Sequence, residues 1–167
     1  MQDMELLVEQ HGKAIYGLCR KLTGSKYDAD DLYQQTFLVA MGKEIRDDGN
    51  PRAFLCKLCI AQWKNEQRKL FRRARIAPVT DTEPEQVAFT GELTAEVENR
   101  ELYAAVRRIV SGLDDRCRLP VLLYYGMELP LKEIAEILKC PEGTVKSRLS
   151  AARKAIREEL EVNGYDG

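Results

Sequence analysis

Leu131-Lys132-Glu133-Ile134-Ala135-Glu136-Ile137-Leu138-Lys139-Cys140-Pro141-Glu142-Gly143-Thr144-Val145-Lys146-Ser147-Arg148-Leu149 is the stretch on which the reading of the fold turns. Pro130 precedes a short helix in which Leu131, Ile134, Ala135 and Leu138 recur at three- and four-residue spacing and share one face. Ala135 is small, so a second helix can cross closely there. A tight turn at Pro141-Glu142-Gly143 follows, and the next helix sets Val145, Leu149, Ala152 and Ile156 on one side. Two amphipathic helices around such a turn have the layout of a helix-turn-helix.

Projecting the second helix at roughly 100° per residue puts Ser147, Ser150, Ala151 and Lys154 opposite the apolar arc, with Lys146, Arg153 and Arg157 flanking them. The exposed face is short and polar, with cations at its edges. Small side chains let a helix approach a major groove, and Lys or Arg reaches guanine edges or phosphates. The helix start near Glu142-Gly143-Thr144 also offers free N–H groups to a phosphate. Residues 131–157 hold 7 Lys/Arg against 3 acids. Periodicity alone fits a helical hairpin with a solvated basic face equally well; the turn sequence and the charge excess favour DNA.

Upstream, helical signals continue. Residues 4–22 read as an amphipathic helix stopped by Thr23-Gly24-Ser25. Asp28-Ala29-Asp30-Asp31 puts acids in a first turn, where the helix dipole favours them, and Ala29, Leu32, Tyr33, Thr36, Phe37 and Ala40 then mark a buried stripe. Asn50-Pro51 is a start signal, a capping side chain before a proline in the first turn. That helix runs through Phe54, Leu55, Leu58 and Trp63 to about Arg73. It carries a basic cluster of Lys64, Arg68, Lys69, Arg72, Arg73 and Arg75 beside the aromatics Trp63 and Phe71. Unpaired bases can stack on aromatics while cations track the backbone; ordinary dipole complementation at a helix end is the competing account. After residue 100, Gly112, Gly126, Pro130 and Pro141-Glu142-Gly143 separate three or four short helices. Strand-like alternation is absent, and the fold class is all-α.

Periodicity fails between the two helical halves. Ile76-Ala77-Pro78-Val79-Thr80-Asp81-Thr82-Glu83-Pro84-Glu85 has two prolines and no apolar stripe. The net charge of the 167 residues is −1, but residues 79–101 hold 7 acids against one Arg, so the acidity is concentrated in the middle. This pattern predicts a domain over 1–76, a flexible acidic linker over 77–99 and a second domain over 100–167. With 44% hydrophobic residues and no run of roughly twenty apolar residues, a spanning helix is not expected. No basic-then-apolar export segment opens the sequence, and a cytoplasmic protein is the expectation.

Five cysteines, an odd number, argue against a disulfide framework in that setting. Cys56 and Cys59 form a CxxC without a second pair, and His11 is the single histidine. Small apolar side chains on helices are the expected role of these thiols, with zinc or redox chemistry the outside alternative. No metal and no cofactor is expected.

Taken together these segments resemble the extracytoplasmic-function group of sigma factors, in the sigma-70 family of RNA polymerase subunits. Glu133-Ile134-Ala135-Glu136, then Gly143-Thr144-Val145-Lys146-Ser147-Arg148-Leu149, then Ala152-Arg153 are similar to that group's last region. Asp31-Leu32-Tyr33-Gln34-Gln35-Thr36-Phe37 is similar to its Asp-Leu-x-Gln-Glu-Thr-Phe segment, and Pro51, Phe54, Leu55 and the basic helix ending at Arg68-Lys69 give a third match. The resemblance implies a sigma region 2-like domain over 1–76, a region 4-like helix-turn-helix domain over 100–167, and no enzymatic activity. It implies that Asp31, Leu32, Gln34, Gln35 and Phe37 bind core RNA polymerase. Ala61, Trp63, Lys64, Asn65, Arg68, Lys69 and Arg72 would read and open the −10 element, including its exposed single strand. Glu142, Thr144, Lys146, Ser147, Arg148, Ser150, Ala151, Arg153 and Lys154 would read the double-stranded −35 element. A cognate anti-sigma factor, often membrane-anchored in this group, is the further partner implied; the chain itself would not insert in a membrane. Gln35 stands where the group usually has Glu, Ala61 where Asn is common, Asn65 where Asp is common, and Ala151 where Arg is frequent. Pro120 interrupts a stretch usually helical without it. A helix-turn-helix regulator that binds an operator alone, and a decoy that only binds protein through Asp31–Phe37, are the competing readings.

Overall fold

The structure, a computed structural model, describes residues 4–43, 49–76 and 97–165. The chain divides into two compact units, and every described secondary-structure element is helical, as the sequence predicts. The first unit holds α1 (Met4–Thr23), α2 (Lys26–Met41) and α3 (Pro51–Ile76); the second holds α4 (Val97–Ser111), α5 (Asp115–Val121), a π-helical turn (Leu122–Gly126), α6 (Leu131–Leu138) and α7 (Glu142–Val162). Residues 77–96 of the expected linker lie outside the described residues, and α4 begins inside its last part, at Val97.

The local chemistry explains the boundaries of the first unit. Gly24 takes φ +74 after α1, a left-handed conformation that glycine adopts without steric cost. Ser25, read in the sequence as part of a stop, also starts the next helix: its Oγ accepts from Asp28 N–H at 3.1 Å as the N-cap of α2. Asn50 Oδ1 accepts from Ala53 N–H at 3.2 Å, so the expected Asn-Pro start of α3 forms. Leu7, Ile15, Leu18 and Leu22 of α1 meet Ala29, Leu32, Phe37 and Ala40 of α2 and Leu55, Cys59 and Ile60 of α3 in one core. Each leucine, isoleucine or phenylalanine among them, fully withdrawn from water, stabilises the fold by about 1.5–3 kcal/mol. Tyr16 and Tyr33 meet edge to face, and Tyr33 continues to Phe37, with centroids 5.6 and 4.8 Å apart. Tyr16 also donates to Asp30 at 2.6 Å, which pins α1 to α2 and raises the phenol pKa chiefly through that bond. Gly12 makes the crossing possible, because a Cβ there would sit 3.0 Å from Tyr33 Oη.

In the second unit, Pro120 lies inside α5 and is buried. The sequence reads it as an interruption; the helix instead continues past it in a looser register. Proline lacks an N–H and crowds the carbonyl one turn back. Directly downstream the chain widens to the π-helical turn, with Met127 N–H bonded to Leu122 O at 3.0 Å, five residues back. α6 ends at Lys139, a non-glycine residue at φ 56, and Cys140 N–H donates back to Ala135 O at 3.1 Å. Pro141 then opens α7. Glu142 and Gly143 belong to the first turn of that helix, so the tight turn is one step earlier than the sequence suggests. Ile134, Ala135 and Ile137 of α6 and Val145, Leu149 and Ala152 of α7 are buried together with Ala105, Leu119 and Leu123. At 21 residues, α7 is far longer than the short helices expected in this half.

Candidate nucleic-acid and protein interfaces

α7 is carried on its buried stripe, which leaves its opposite face at the surface. Glu142, Lys146, Ser147, Ser150, Ala151, Arg153 and Lys154 are exposed, and Thr144 and Arg148 are half-buried. All nine residues expected at the −35 element therefore line one helix, seven of them fully at the surface. Their chemistry differs in detail. Ser147 donates to Gly143 O at 3.0 Å, one turn back, and keeps its lone pairs for an incoming donor. Arg148 leans toward the turn, with its guanidinium 4.0 Å from Cys140 Sγ. It lines an open cleft that runs from Thr144, Ser147 and Ala151 to Asp114 and Arg116 at the start of α5. No side chain caps α7; in its first turn Thr144 N–H bonds to Pro141 O at 3.0 Å, so donors for a phosphate at this helix start would come from Glu142 and Gly143. Sequence reasoning missed Arg116, whose approach to α7 depends on how α5 packs.

On α3, Ala61, Asn65, Arg68 and Arg72 form one exposed stripe with a repeat of three and four residues. Lys69 is exposed and Lys64 half-buried. Two weak contacts order this surface: Arg68 to Asn65 Oδ1 and Lys69 to Glu66, both at 3.5 Å. Trp63 corrects the sequence reading. It is only 5% exposed and belongs to the core of the first unit, because α3 turns that position toward α1 and α2. The aromatic at the surface is Phe71, 62% exposed, with the Arg75 guanidinium 4.8 Å from its ring centre and Leu70 beside it.

On α2, Leu32 and Phe37 are 3% and 8% exposed, as their place in the buried stripe predicts, so they support the outer face without forming it. Asp31, Gln34 and Gln35 are exposed as expected. Alongside them lie Tyr27, Leu38 and Met41, exposed by 83%, 60% and 65%. These three apolar residues were missed because an apolar residue in an amphipathic helix reads as core; Tyr27, Asp31, Gln34, Leu38 and Met41 follow one another at four, three, four and three residues, and that repeat is the signal that places them on one outer face.

The cysteines of α1 and α3 are structural in position. Cys19, Cys56 and Cys59 are fully buried, and Cys19 Sγ lies 3.6 Å from Cys59 Sγ. Burial pushes the Cys56 thiol up to about 12, and the Cys59 contact with burial raises that of Cys19. A neutral buried thiol is a poor nucleophile and metal ligand.

A helix-turn-helix with an exposed polar face, in one chain with a basic helix end and an outward apolar-polar strip, is an arrangement suited to a helical DNA-binding protein. Comparison with known proteins makes the class specific. Residues 7–73 match sigma-70 region 2 and residues 103–156 match sigma-70 region 4. The sequence is 29% identical over 162 residues to the extracytoplasmic-function RNA polymerase sigma factor SigW of Bacillus subtilis, covering 92% of this chain and 87% of that one. It is 28% identical over 165 residues to the sigma-E factor of Escherichia coli K12, covering 93% and 85%. The fold is similar to that of the sigma factor RpoE of Bartonella quintana, crystallised with the anti-sigma factor NepR, with TM-score 0.81 at 22% identity over 97% of this chain and 99% of that one. It is also similar to CnrH, solved with the cytosolic domain of CnrY, with TM-score 0.63 at 24% identity over 96% and 89%. The chain belongs to the sigma-70 family. It is an alternative sigma factor of the extracytoplasmic-function group, which directs promoter-specific transcription initiation by RNA polymerase.

Proposed function

We propose that the work is divided among three helices. The outer face of α2, with Asp31, Gln34 and Gln35 flanked by Tyr27, Leu38 and Met41, seats the first unit on core polymerase. The exposed stripe of α3, with Ala61, Asn65, Arg68 and Arg72 beside Lys64, Lys69 and Phe71, handles the −10 element, Phe71 supplying a stacking surface for an unpaired base. α7 enters the major groove at the −35 element, where Lys146, Ser147 and Ser150 face the bases while Arg148, Arg153 and Lys154 face phosphates. The domain limits are 1–76 and 100–167, with 77–99 as the acidic connection. The factor brings no catalysis of its own and works in the cytoplasm with the enzyme. No described helix is long and apolar enough to cross a membrane. RpoE and CnrH were solved with partners, one named an anti-sigma factor, and this chain is proposed to have a cognate anti-sigma partner too, held at a membrane or free.

The observation that carries this reading is the contrast of the two outer faces: apolar anchors on α2, small polar groups with edge cations on α7. Run-off transcription with core polymerase on a promoter library tests it. The expected result is factor-dependent transcripts from promoters that share a −10 and a −35 sequence. Absence of transcripts, with tight sequence-specific binding by the free protein in a gel shift, would instead make it a stand-alone regulator.

A further inference from the structure

Arg153 does not stand free on α7. Its Nε–H donates to the Tyr125 hydroxyl at 2.7 Å, and its guanidinium carbon lies 5.8 Å from the centre of that ring. Tyr125 comes from the π-helical turn, 28 residues earlier, and remains 54% exposed. Tyr124 packs edge to face on it, with centroids 4.9 Å apart and planes at 85°, which holds the phenol ring in place. The widened turn after Pro120 aims the ring at α7, and π-helical turns concentrate at working sites.

The donor arithmetic of this pair is specific. A guanidinium has five N–H donors, and the bond to Tyr125 uses only the one on Nε. A phenol that accepts a hydrogen bond still has its own O–H to give. The pair therefore presents the Nη donors of Arg153 and the Oη–H of Tyr125 side by side at the surface, with one positive charge and, among the described residues, no carboxylate paired with either. Arg153 also shares one edge of α7 with Arg157, four residues on, and both are exposed. With α7 in a major groove, this C-terminal part of the edge follows one sugar-phosphate wall.

We propose that Tyr125 and Arg153 form a clamp for a single backbone phosphate of the −35 duplex, with Tyr125 as both a direct donor and the residue that fixes the Arg153 fork. The clamp rests on the proposed seating of α7 in the groove. It adds a contact from outside the helix-turn-helix and is blind to base identity, so it sets register and strength.

The test is binding of the reconstituted holoenzyme to −35-containing promoter duplex over a series of salt concentrations, using Tyr125→Phe, Arg153→Ala, Arg153→Lys and the Tyr125→Phe/Arg153→Ala double variant. Arg153→Ala should weaken binding about tenfold and lower the salt slope by about one ion. Tyr125→Phe should cost about fivefold, with the same loss on every −35 sequence. Arg153→Lys should keep the slope but lose affinity, since an ammonium cannot use the fork. The double variant should bind only slightly less tightly than Arg153→Ala alone, well short of the two single losses combined, which a merely destabilised unit would not produce. Wild-type affinity for Tyr125→Phe, or additive losses in the double variant, would overturn the clamp. Wild-type affinity and slope for Arg153→Ala would remove Arg153 from the DNA surface as well, and run-off activity of that variant separates this failure from failure of the sigma-factor assignment.

Discussion

α2 and α7 are built alike and finished differently. Each lies on a stripe of buried residues spaced three and four apart, Leu32, Thr36, Phe37 and Ala40 in one, Val145, Leu149 and Ala152 in the other. What they leave outside differs in kind. α2 exposes Tyr27, Leu38 and Met41 around short polar residues; α7 exposes serines and an alanine rimmed by Lys146, Arg153 and Arg157. An apolar anchor gains free energy only from a partner that excludes water, as a protein surface does. A cationic rim gains from releasing counterions along a phosphate chain, while small central residues permit close approach. The buried half of each helix thus sets where it sits, and the exposed half sets the chemistry of its partner.

The strongest way to break the symmetry is to remove the support of one helix. Leu149 is 2% exposed beneath α7, and Leu149→Ala should cost about 2–5 kcal/mol of stability in the second unit. Urea denaturation should show the loss, and −35-dependent binding should fall with it. Affinity for core polymerase through α2 should survive; a comparable fall there would mean that the two faces do not work separately.

The next largest effect should come from the outer face of α2. Leu38→Ala with Met41→Ala removes two exposed apolar groups that do no work in the core, so the thermal midpoint should hold. Binding to core polymerase should weaken by about 2 kcal/mol or more, as for central apolar anchors in other interfaces. Asp31→Ala with Gln34→Ala should weaken it less, because exposed polar contacts contribute roughly 0.2–1 kcal/mol each. Titration of labelled polymerase measures both. Equal effects would place the interface on the polar residues instead.

These residues also mark how far the sequence could be read. The stripes that carry α2 and α7 were legible because burial follows the helical period, and Asn50-Pro51 was legible because capping is local; on α6 Ile134 and Ala135 are buried as expected, while Leu131 and Leu138 are half-buried and Ile137 completes the stripe. The helix-turn-helix was legible from the same period and from the Pro141-Glu142-Gly143 turn, since no side chain caps either of its helices. Leu38 and Met41 were not, since an apolar side chain carries no label saying which face will be covered. For Trp63 the local sequence fits a core role and a base-stacking one alike, and only the rotation of α3 decides that it is buried while Phe71 is exposed. Arg116 and the Tyr125–Arg153 pair are non-local: they exist only once α5 and the π-helical turn have packed on α7. Pro120 was read as a break because its missing N–H is local information; the compensating π register is set by the packing of Leu119, Val121 and Leu123.

On α7 itself the expected effect is smaller and directional. Lys146→Ala or Ser147→Ala should change −35 preference by about 1.5 kcal/mol for each lost base contact. Arg148, half-buried and leaning on the turn, should affect strength more than preference. Holoenzyme selection from a randomised −35 library reads this out. An unchanged selected sequence for Lys146→Ala would mean that this face holds the backbone and reads no base.

The smallest effect separates the two units by the chemistry of their turns. Both α1 and α6 end near a left-handed residue, but the first turn uses Gly24 at φ +74 and the second uses Lys139 at φ 56. A side chain in that conformation crowds its own carbonyl, at a cost of about 1 kcal/mol that glycine avoids. Lys139→Gly should therefore stabilise the second unit by about 0.5–1 kcal/mol, the larger flexibility of glycine in the unfolded chain offsetting part of the gain. Gly24→Ala should destabilise the first unit by a similar amount, since nothing crowds a Cβ there and the backbone angle alone is strained. Thermal denaturation should show the two shifts in opposite directions. A destabilised Lys139→Gly variant would mean that the lysine side chain holds the turn by its contacts, and that the second unit has traded backbone ease for a cation beside its groove-facing helix.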